Sequence, residues 1–578
     1  MGAALDQGLC RGAGRDRHPF SECDSQRGQL RRRTLYTHAP GRLEYRVRVP
    51  EGGRLDVGLG VLRDDEPVTF RITAAREGDQ AVILFEESYA DREHWAQRTV
   101  DLSGLSGQTV TLTLEAAAER AGTVALWAAP TLTGNRNSDK LNVIFYIIDG
   151  GAADYMSVYG YNRRTTPNLE RLAAEGAVFE RAYSNSSWTK PSTASFMTSL
   201  HNSVLGGIRG EAASPLPEQA VTMAEHMHRA GYQTAVFVSN PYAGSLSNLE
   251  RGVDVFRDAG VTPPSGSSAE LHQDYWQWRE AYPAEPYWVH FQTTDLHPEF
   301  DGKRDAVAPF VGMFIDPEQR ETFYAWERQL AAAAGFTHAP WLSLEAIDET
   351  GISYTAFFNA ARSIYDENMA HQDYQLGLLV ERLKARGEWG RTLLIVAADH
   401  SGAAAHVPDP FPPRWGPLFT SSVTRVPLIV VWPERIAPGQ RFSQPVSMID
   451  MLPTILDLVG LPMPEVMQGQ SLAPLLLGEE GWEPRPVILD EFAIEASGEL
   501  SGYIEVIDGR WGASLLIDAS PSSDLVGTAP DIPKSRVGNG SESLHRRPCP
   551  LAALRPLERS LHPAEPARRA ARPGGEVH

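Results

Sequence analysis

A threonine, two aspartates and a histidine are the residues of this sequence whose types and placement best predict chemistry. Thr189 lies in the segment SWTKPSTAS, residues 187–195. Asp149 directly follows the apolar run NVIFYII, and Asp399 and His400 directly follow the apolar run LLIVAA. Each of these residues alone is typical of a loop or a helix cap, but together they can build one metal site that carries a nucleophile. A metal at such a site lowers the pKa of the Thr189 hydroxyl and screens the charge of an anionic ester.

The predicted ligand set contains oxygen and imidazole groups and no thiolate. Asp149, Thr189, Asp399 and His400 would therefore hold one divalent metal ion, which could be Mn²⁺, Zn²⁺, Ca²⁺ or Mg²⁺. The single imidazole of His400 favours Mn²⁺ or Zn²⁺ among these.

The elements that position these residues predict an α/β fold. Residues 142–148 form a near-continuous apolar stretch, as expected for a strand in the middle of a parallel sheet. Helical and strand patterns alternate after it, with a helix predicted from Pro191 and a long one over residues 364–386. Open α/β sheets bind ligands beyond the carboxyl ends of their strands, where Asp149 and Asp399 are expected to lie.

The composition changes along the chain predict five segments. Residues 1–33 are polar and aperiodic, which predicts a disordered or misassigned N-terminus, and residues 34–134 show alternating short strands typical of a jelly-roll-like β-sandwich. Residues 140–480 are predicted to form the catalytic domain, and 481–519 a small C-terminal α+β subdomain with a hairpin turning at Asp508-Gly509. Residues 520–578 are rich in Ser, Gly, Pro, Arg and Ala, which predicts a disordered or out-of-frame tail.

The net charge and the composition limit which partners and which cellular locations are expected. The net charge of −20 argues against nucleic acid, so attraction of an anionic substrate must come from a local site. The three cysteines, Cys10, Cys23 and Cys549, lie in the terminal segments and predict neither a disulfide framework nor a thiolate site in the core. No apolar run is long enough to span a membrane. No signal peptide is visible, which predicts a cytoplasmic location for the chain as written, and a periplasmic or secreted one if the start is misassigned.

From residue 141 to about 478 the sequence resembles the sulfatase family of the alkaline phosphatase superfamily. The resemblance rests on the order and spacing of several motifs, which are YGY at 159–161, TTPNL at 165–169, LAAEG at 172–176, WTKPS at 188–192, YD at 365–366, ADH at 398–400, RVPL at 425–428 and DMLPTIL at 450–456. It implies an alkaline-phosphatase-like three-layer sandwich with a mostly parallel sheet. The N-terminal β-sandwich lies outside the resemblance.

The departures from the family pattern bear on the chemistry. The family carries Cys or Ser, oxidised to formylglycine, where this chain has Thr189, and threonine cannot become that aldehyde. The arginine that ends the family motif is Thr193 here, the second aspartate of the first strand is Gly150, and the lysine after the next strand falls near Asn240. The remaining set resembles the phosphodiesterases, phosphonate ester hydrolases and phosphotransferases of the superfamily that use a threonine nucleophile.

The resemblance also implies roles for residues near the predicted site. His297 falls where the family places a substrate-contacting histidine and is predicted to protonate the leaving oxygen. Lys190 is either a catalytic group that holds a substrate oxygen or a solvated neighbour of a helix cap. His406 and Asn240 are predicted to contact substrate. A second metal would need a histidine four residues after Asp295, where Glu299 stands, so one metal is predicted.

Three functions follow from these observations. The first is a metal-dependent hydrolase of sulfate or phosphate esters that uses no formylglycine and favours phosphate diesters or phosphonate esters. Its substrate would be a small-molecule or a glycan- or lipid-linked anionic ester. The second is a phosphotransferase that moves a phosphorylated headgroup, although such enzymes usually carry membrane helices. The third is a non-catalytic glycan-binding relative, against which the retention of all the metal-site residues argues. The sequence does not predict the oligomeric state.

Overall fold

The structure is a computed structural model that describes residues 22–27, 30–62, 66–134, 140–206, 208–209, 216–258, 267–281, 286–296, 306–334, 350–401, 421–494, 500–518 and 555–556. None of the helices in these ranges combines the length and the hydropathy that a membrane crossing requires.

The strands fall into an N-terminal group, a central group and a C-terminal group. Those of the N-terminal group are β1 Glu22–Arg27, β2 Leu30–Ala39, β3 Gly41–Arg48, β4 Arg54–Val61, β5 Val68–Ala75, β6 Val82–Tyr89, β7 Ala96–Asp101, β8 Thr109–Ala117 and β9 Thr123–Thr133. Those of the central group are β10 Asn142–Ile148, β11 Ala177–Phe179, β12 Ala182–Tyr183, β13 Ile208–Arg209, β14 Gln233–Val238, β15 Val255–Arg257, β16 Tyr287–Thr293, β17 Thr392–Ala397, β18 Arg425–Val426, β19 Leu428–Val431, β20 Gln440–Phe442 and β21 Val446–Ser447. Those of the C-terminal group are β22 Val487–Ile494, β23 Leu500–Asp508, β24 Trp511–Asp518 and β25 Arg555–Pro556.

The described α-helices all follow β10. They are α1 Pro167–Glu175, α2 Thr189–Thr198, α3 Met223–Arg229, α4 Ser268–Ala281, α5 Pro317–Ala334, α6 Tyr354–Ala385, α7 Ser421–Thr424, α8 Met451–Leu458 and α9 Ala473–Leu477. The strand–helix alternation predicted from the sequence is confirmed. Two helices begin earlier than predicted, because α2 starts at Thr189 rather than Pro191, and α6 starts at Tyr354 rather than residue 364.

One large sheet forms the centre of the molecule. It contains 13 strands in the order β20-β11-β19-β17-β10-β16-β14-β15-β2-β9-β4-β7, with β1 beside β2. Strands β17, β10, β16, β14 and β15 run parallel to one another, and β19 pairs antiparallel with β17. The predicted mostly parallel arrangement is therefore correct for the part of the sheet that carries the site.

Helices cover both faces of the parallel strands, which makes three layers. Alternate residues of β10 point to opposite faces, as the two-residue period of a strand requires. Val143, Phe145 and Ile147 pack in a core with α2, α3 and α8, and Ile144, Tyr146 and Ile148 pack in a second core with α1, α4 and α6. Full burial of each large apolar side chain contributes about 1.5–3 kcal/mol, which explains why β10 is apolar on both faces.

The N-terminal strands form the predicted β-sandwich. The sheet β3-β8-β5-β6 faces the portion β2-β9-β4-β7 of the large sheet, with a common apolar core in which the rings of Phe70 and Trp127 meet edge to face at 4.8 Å. One prediction needs correction, because residues 22–27 and 30–33 lie in the segment 1–33 that was predicted to be disordered or misassigned. Residues 22–27 form β1, which pairs with β2. Residues 30–33 begin β2, in which Arg32 pairs with Val255 of β15, so this strand joins the sandwich to the edge of the parallel sheet.

The C-terminal strands β22, β23 and β24 form an antiparallel meander, to which β13 adds a parallel strand. Its hairpin turn is Gly509-Arg510, one residue later than predicted, because Asp508 already pairs with Trp511. Within the segment predicted as an unstructured tail, the structure describes β25 alone, which pairs with the start of β24 and so departs from that prediction. An edge strand offers unpaired backbone groups to such a segment. The rest of the tail lies outside the described residues.

Candidate metal and nucleophile site

Neighbouring parallel strands bring polar side chains to one edge of the sheet. Asp149 follows β10, Asp399 lies two residues after β17, and Asn240 lies two residues after β14. Gln292 lies within the carboxyl end of β16, between β10 and β14. All four side chains are buried. These side chains therefore cluster beyond the carboxyl ends of the strands, where open α/β sheets bind ligands.

Thr189 is the first residue of α2 and turns its hydroxyl toward these groups. Its Oγ1 atom lies 3.2 Å from His400 Nε2 and 3.5 Å from Asp149 Oδ2. It does not cap α2, because Trp188 occupies the N-cap position and no side-chain capping bond is present there. The nearby hydroxyls of Ser187 and Ser192 donate instead to Glu491 and to the carbonyl of Ser186. Thr189 is thus the hydroxyl of its segment that faces the carboxylates.

The two carboxylate oxygens of Asp149 have different surroundings. Oδ2 accepts hydrogen bonds from Asn240 Nδ2 at 2.7 Å and from Gln292 Nε2 at 3.0 Å. Oδ1 is buried and accepts no hydrogen bond from any described residue, and His400 Nε2 lies 3.5 Å from it. A buried carboxylate oxygen without a donor is costly unless a cation compensates it.

Asp399 is held mainly through its backbone neighbours. Its Oδ1 atom accepts from the amides of His400 at 2.9 Å and Gly150 at 3.2 Å, and its Oδ2 atom accepts from Gln292 Nε2 at 2.9 Å. Burial raises the pKa of the Asp399 carboxyl well above its usual range, and the nearby charge of Asp149 raises it further. Carboxylate oxygens of Asp149 and Asp399 lie within 4.8 Å of each other. Two buried carboxylates this close together favour occupation of the site by a cation.

The hydrogen-bond geometry around His400 allows its Nε2 atom to serve as a metal ligand. His400 Nδ1 lies 3.3 Å from the carbonyl oxygen of Ser401, so Nδ1–H can donate there and leave the Nε2 lone pair directed toward the two carboxylates. One ligand atom from each of Asp149, Asp399 and His400 lies within 4.8 Å of the others. Three groups that all offer lone pairs toward one point fit a divalent cation, with the Thr189 oxygen beside them.

Asn240 was predicted to contact substrate, and the structure places its side chain inside the cluster. Its Nδ2 atom donates to Asp149 as well as to Thr189 Oγ1 at 3.1 Å. The orientation of this amide is fixed, because Asn240 Oδ1 accepts a hydrogen bond from the backbone amide of Tyr242 at 3.0 Å. Asn240 therefore contacts both Asp149 and the Thr189 hydroxyl.

Gln292 is the site residue that the sequence did not predict. Its Nε2 atom donates to both Asp149 Oδ2 and Asp399 Oδ2 and so bridges the two carboxylates. The signal available in the sequence was a single polar residue at the end of an otherwise apolar strand. That signal becomes informative only once β16 is known to lie beside β10.

Lys190 follows Thr189 in the first turn of α2. Its Nζ atom is buried and makes no hydrogen bond with the described residues. Burial lowers the pKa of the Lys190 ammonium to about 8. The side chain is not the solvated cap neighbour of the alternative interpretation, and its ammonium is available for an anionic oxygen.

The remaining predicted site residues are His297 and His406, and Asp295 is the residue considered for a second metal. His297 and His406 lie outside the described residues. The side chains of His371, on α6, and Asp295 are both buried, with His371 Nδ1 at 3.4 Å from Asp295 Oδ1. Asp295 also accepts hydrogen bonds from Ser268 at 2.9 Å. Asp295 is thus engaged by α4 and α6.

The fold and the site define an α/β protein with a carboxylate–imidazole site and a hydroxyl at a helix start. The sulfatase family model matches residues 141–461, more than half of the chain. The chain belongs to the sulfatase family.

Curated relatives agree with this assignment. The chain is 24% identical to an ulvan-active sulfatase of Formosa agariphila over 361 residues, which are 58% of this chain and 54% of that protein. It is 26% identical to human arylsulfatase A over 424 residues, 66% of this chain and 76% of that protein. It is also 26% identical to the choline-sulfatase of Rhizobium meliloti over 434 residues, 64% of this chain and 77% of that protein. The chain thus spans about half the length of the ulvan-active sulfatase.

Solved structures with a similar fold include a phosphonate monoester hydrolase of Agrobacterium radiobacter, with a TM-score of 0.48 and 20% identity, covering 66% of this chain and 89% of that chain. A 2-O GAG sulfatase gives a TM-score of 0.49 and 19% identity, covering 66% of this chain and 83% of that chain.

Proposed function

We propose that this chain is a metal-dependent hydrolase of anionic esters in which Thr189 is the nucleophile. The observation that carries the proposal is the position of Thr189 Oγ1, which lies 3.2 Å from His400 Nε2 and 3.1 Å from Asn240 Nδ2 at the start of a buried helix. A hydroxyl held among acids, an amide and an imidazole has both the orientation and the electrostatic surroundings of an activated nucleophile. The proposed catalytic unit is the segment of residues 140–480.

Asp149, Asp399, His400 and Thr189 would hold the metal. The support is the donor set together with the buried Asp149 Oδ1, which lacks a donor among the described residues. When bound, a divalent cation lowers the pKa of a hydroxyl and neutralises charge on an ester oxygen. No formylglycine is proposed, because position 189 is a threonine, and one metal is proposed, because Glu299 stands where a second site would need a histidine.

Several residues around the proposed nucleophile have separate proposed roles in the reaction. The Thr189 hydroxyl gives its proton to Asp149 Oδ2, 3.5 Å away, as Oγ1 attacks the phosphorus in line, and the bond from phosphorus to the leaving oxygen breaks as the new ester forms. The amides at the N-terminus of α2 and the ammonium of Lys190 face the equatorial oxygens, where negative charge is concentrated. His297 is proposed to protonate the leaving oxygen, and His406 to contact substrate. Water then cleaves the ester and restores the Thr189 hydroxyl.

Phosphate diesters and phosphonate esters are the proposed preferred substrates, ahead of sulfate esters. The support is a set of substitutions relative to the family pattern, with Thr189 at the formylglycine position, Gly150 at that of the second aspartate and Asn240 near that of a lysine. Each removes a group on which the sulfatase chemistry of the family depends. The acid–imidazole set that remains suits transfer of a phosphoryl group to a hydroxyl.

The substrate preference has a direct test. We expect kcat/KM for the best of an aryl phosphodiester and an aryl phosphonate monoester to exceed that for the matching aryl sulfate by at least about 10-fold, or 1.4 kcal/mol of transition-state binding. The measurement uses one leaving group throughout and a series of added metals. A kcat/KM for the aryl sulfate above that for every phosphorus ester would contradict the proposed preference.

Gln292 provides a second prediction. The Gln292→Leu variant removes the donor that bridges Asp149 and Asp399, and we expect metal affinity to fall by about 10- to 100-fold, the usual effect of losing an outer-shell partner. Metal titration of the purified variant measures this.

A matched control for Gln292 is Gln372→Leu. Gln372 is also fully buried, but it donates to the Tyr146 hydroxyl at 2.7 Å on the opposite face of the sheet. This control is expected to lose stability and to keep its metal affinity. Equal metal affinities in wild type and Gln292→Leu would show that Gln292 does not support the metal ligands.

A further inference from the structure

One strand of the C-terminal meander contacts the chain on both sides of the nucleophile helix. We propose that Asp490 and Glu491, adjacent residues of β22, are positioning residues that fix α2 and thereby place Thr189 for attack. The inference rests on the proposed role of Thr189. Both residues lie beyond residues 141–461, the part of the chain that the sulfatase family model matches.

Glu491 holds the turn that leads into the helix. Its Oε2 atom accepts hydrogen bonds from Ser187 Oγ at 2.8 Å and from the Ser187 amide at 3.2 Å, and it also accepts one from the Ser186 hydroxyl. Glu491 is buried, so these bonds to a carboxylate are stronger than bonds between neutral groups. Thr189 follows Ser187 by two residues, so a shift of this turn displaces the nucleophilic oxygen.

Asp490 holds the chain where it leaves the helix. Its carboxylate accepts from the amide of Ser203 at 2.7 Å and from the amide of Asn202 at 3.1 Å. His201 Nδ1 lies 3.3 Å from the same carboxylate. The side chains of neighbouring strand residues point to opposite faces, which lets one short segment of β22 reach the chain both before and after α2.

Backbone contacts connect the same strand to the approach to the helix. The amide of Asp490 donates to the carbonyl of Asn185 at 3.1 Å, and Asn185 Nδ2 donates to the carbonyl of Ile488 at 3.0 Å. Residues 185–187 are therefore tied to β22 by both main-chain and side-chain bonds. A nucleophile held this way keeps its geometry without depending on contacts made by substrate.

The position of the nucleophile affects the chemical step more than substrate binding. The expected effect of loosening the turn is a fall in kcat of about 10- to 100-fold, which is the scale of a displacement of about 1 Å. KM should stay near the wild-type value, and the metal should still bind, because Asp149, Asp399 and His400, three of the four proposed ligands, follow strands β10 and β17. This split between kcat and KM separates a positioning role from a general loss of folded protein.

The test uses the full chain with Glu491→Gln and Glu491→Leu, and Glu505→Gln as the matched control. Glu505 lies on β23 of the same meander and is also buried, and its Oε2 atom makes no hydrogen bond with the described residues. Burial raises the pKa of Glu505 to about 8, so at neutral pH glutamine replaces a carboxyl that is already protonated. The control is expected to leave kcat unchanged.

Two measurements are made on each variant. The first is kcat and KM with the best phosphorus ester, and the second is amide hydrogen exchange of the peptide covering residues 184–190. We expect Glu491→Gln to lower kcat and to speed exchange in this peptide, with Glu491→Leu having a larger effect and Glu505→Gln having none. If Glu491→Leu does not fold, the nearly isosteric Glu491→Gln still tests the positioning role.

The outcomes distinguish this inference from the proposed function. Wild-type kcat and wild-type exchange in Glu491→Gln would overturn the positioning role. If wild type shows no activity that Thr189→Ala abolishes, the proposed function fails, and exchange of residues 184–190 alone then decides whether β22 holds the helix start. Equal exchange in wild type and Glu491→Gln would overturn the inference in that case also.

Discussion

The Thr189→Ala variant is expected to lose at least about 10³-fold in kcat, because removal of a catalytic nucleophile costs this much or more in other hydrolases. The hydroxyl lies among His400, Asp149 and Asn240, and no methyl group can take its place as the attacking atom. The fold should remain intact. The loss of the Asn240 hydrogen bond costs about 1 kcal/mol in the free energy of unfolding. Steady-state kinetics and thermal unfolding of the purified variant measure both effects.

The same helix supplies a matched control for Thr189→Ala. Thr193 lies one turn later, is buried, and its Oγ1 atom makes no hydrogen bond with the described residues. Thr193→Ala should therefore keep the wild-type kcat, whereas Thr189→Ser, which retains a hydroxyl, should keep part of it. Turnover by Thr189→Ala at the wild-type rate would show that the attacking group is not Thr189.

The sequence predicted the parts of the site that depend on local pattern. One apolar strand is followed at once by Asp149, and another by Asp399 and His400. Such strands can be placed in a parallel sheet in few ways, and their carboxyl ends meet at one edge of it. The strand order was not predictable in the same way. The sequence of β10 does not indicate that β16 and β17 are its neighbours in the sheet. The bridging position of Gln292 therefore followed from the tertiary structure alone.

The edge between the N-terminal sandwich and the parallel sheet shows a second limit. Residues 30–33, with the sequence LRRR, lack the apolar alternation by which strands are recognised, and they were predicted to be unstructured. In the structure they pair with β15, whose edge would otherwise expose its backbone groups. Backbone pairing of this kind depends on the partner strand and leaves little trace in side-chain pattern.

The helix start at Thr189 shows how tertiary context changed a local prediction. Proline at 191 predicted a helix beginning there, since proline is favoured in the first turn. The first turn begins earlier because the amide of Ser192 donates to the carbonyl of Trp188 at 3.3 Å, with Trp188 in an extended conformation. Proline is tolerated at the third position of α2 because that amide needs no partner within the helix. The shift is what makes Thr189 the first helical residue, beside the acids.

The second large effect is expected at the metal ligands. Asp399→Asn and His400→Ala should each weaken metal binding by more than about 100-fold, the upper end of the effect of outer-shell substitutions, since each removes a ligand. Activity should fall with metal content. Thermal stability should also lose its dependence on added metal, because a ligand present at 100 times its Kd stabilises the native state by about 2.7 kcal/mol. Metal analysis and unfolding with and without chelator measure both.

The apo proteins give the sharpest comparison. Without metal, wild type keeps two buried carboxylates that share the Gln292 donor, and Asp399→Asn removes the repulsion between them. Apo Asp399→Asn should therefore be at least as stable as apo wild type, whereas metal should stabilise wild type alone. Asp373→Asn is the control, because Asp373 is a buried carboxylate that accepts hydrogen bonds from Asn168 on another face of the fold. That control should lose stability and keep its metal. Stoichiometric metal in both Asp399→Asn and His400→Ala would contradict the ligand assignment, because a site of so few protein ligands does not retain its ion after losing one of them.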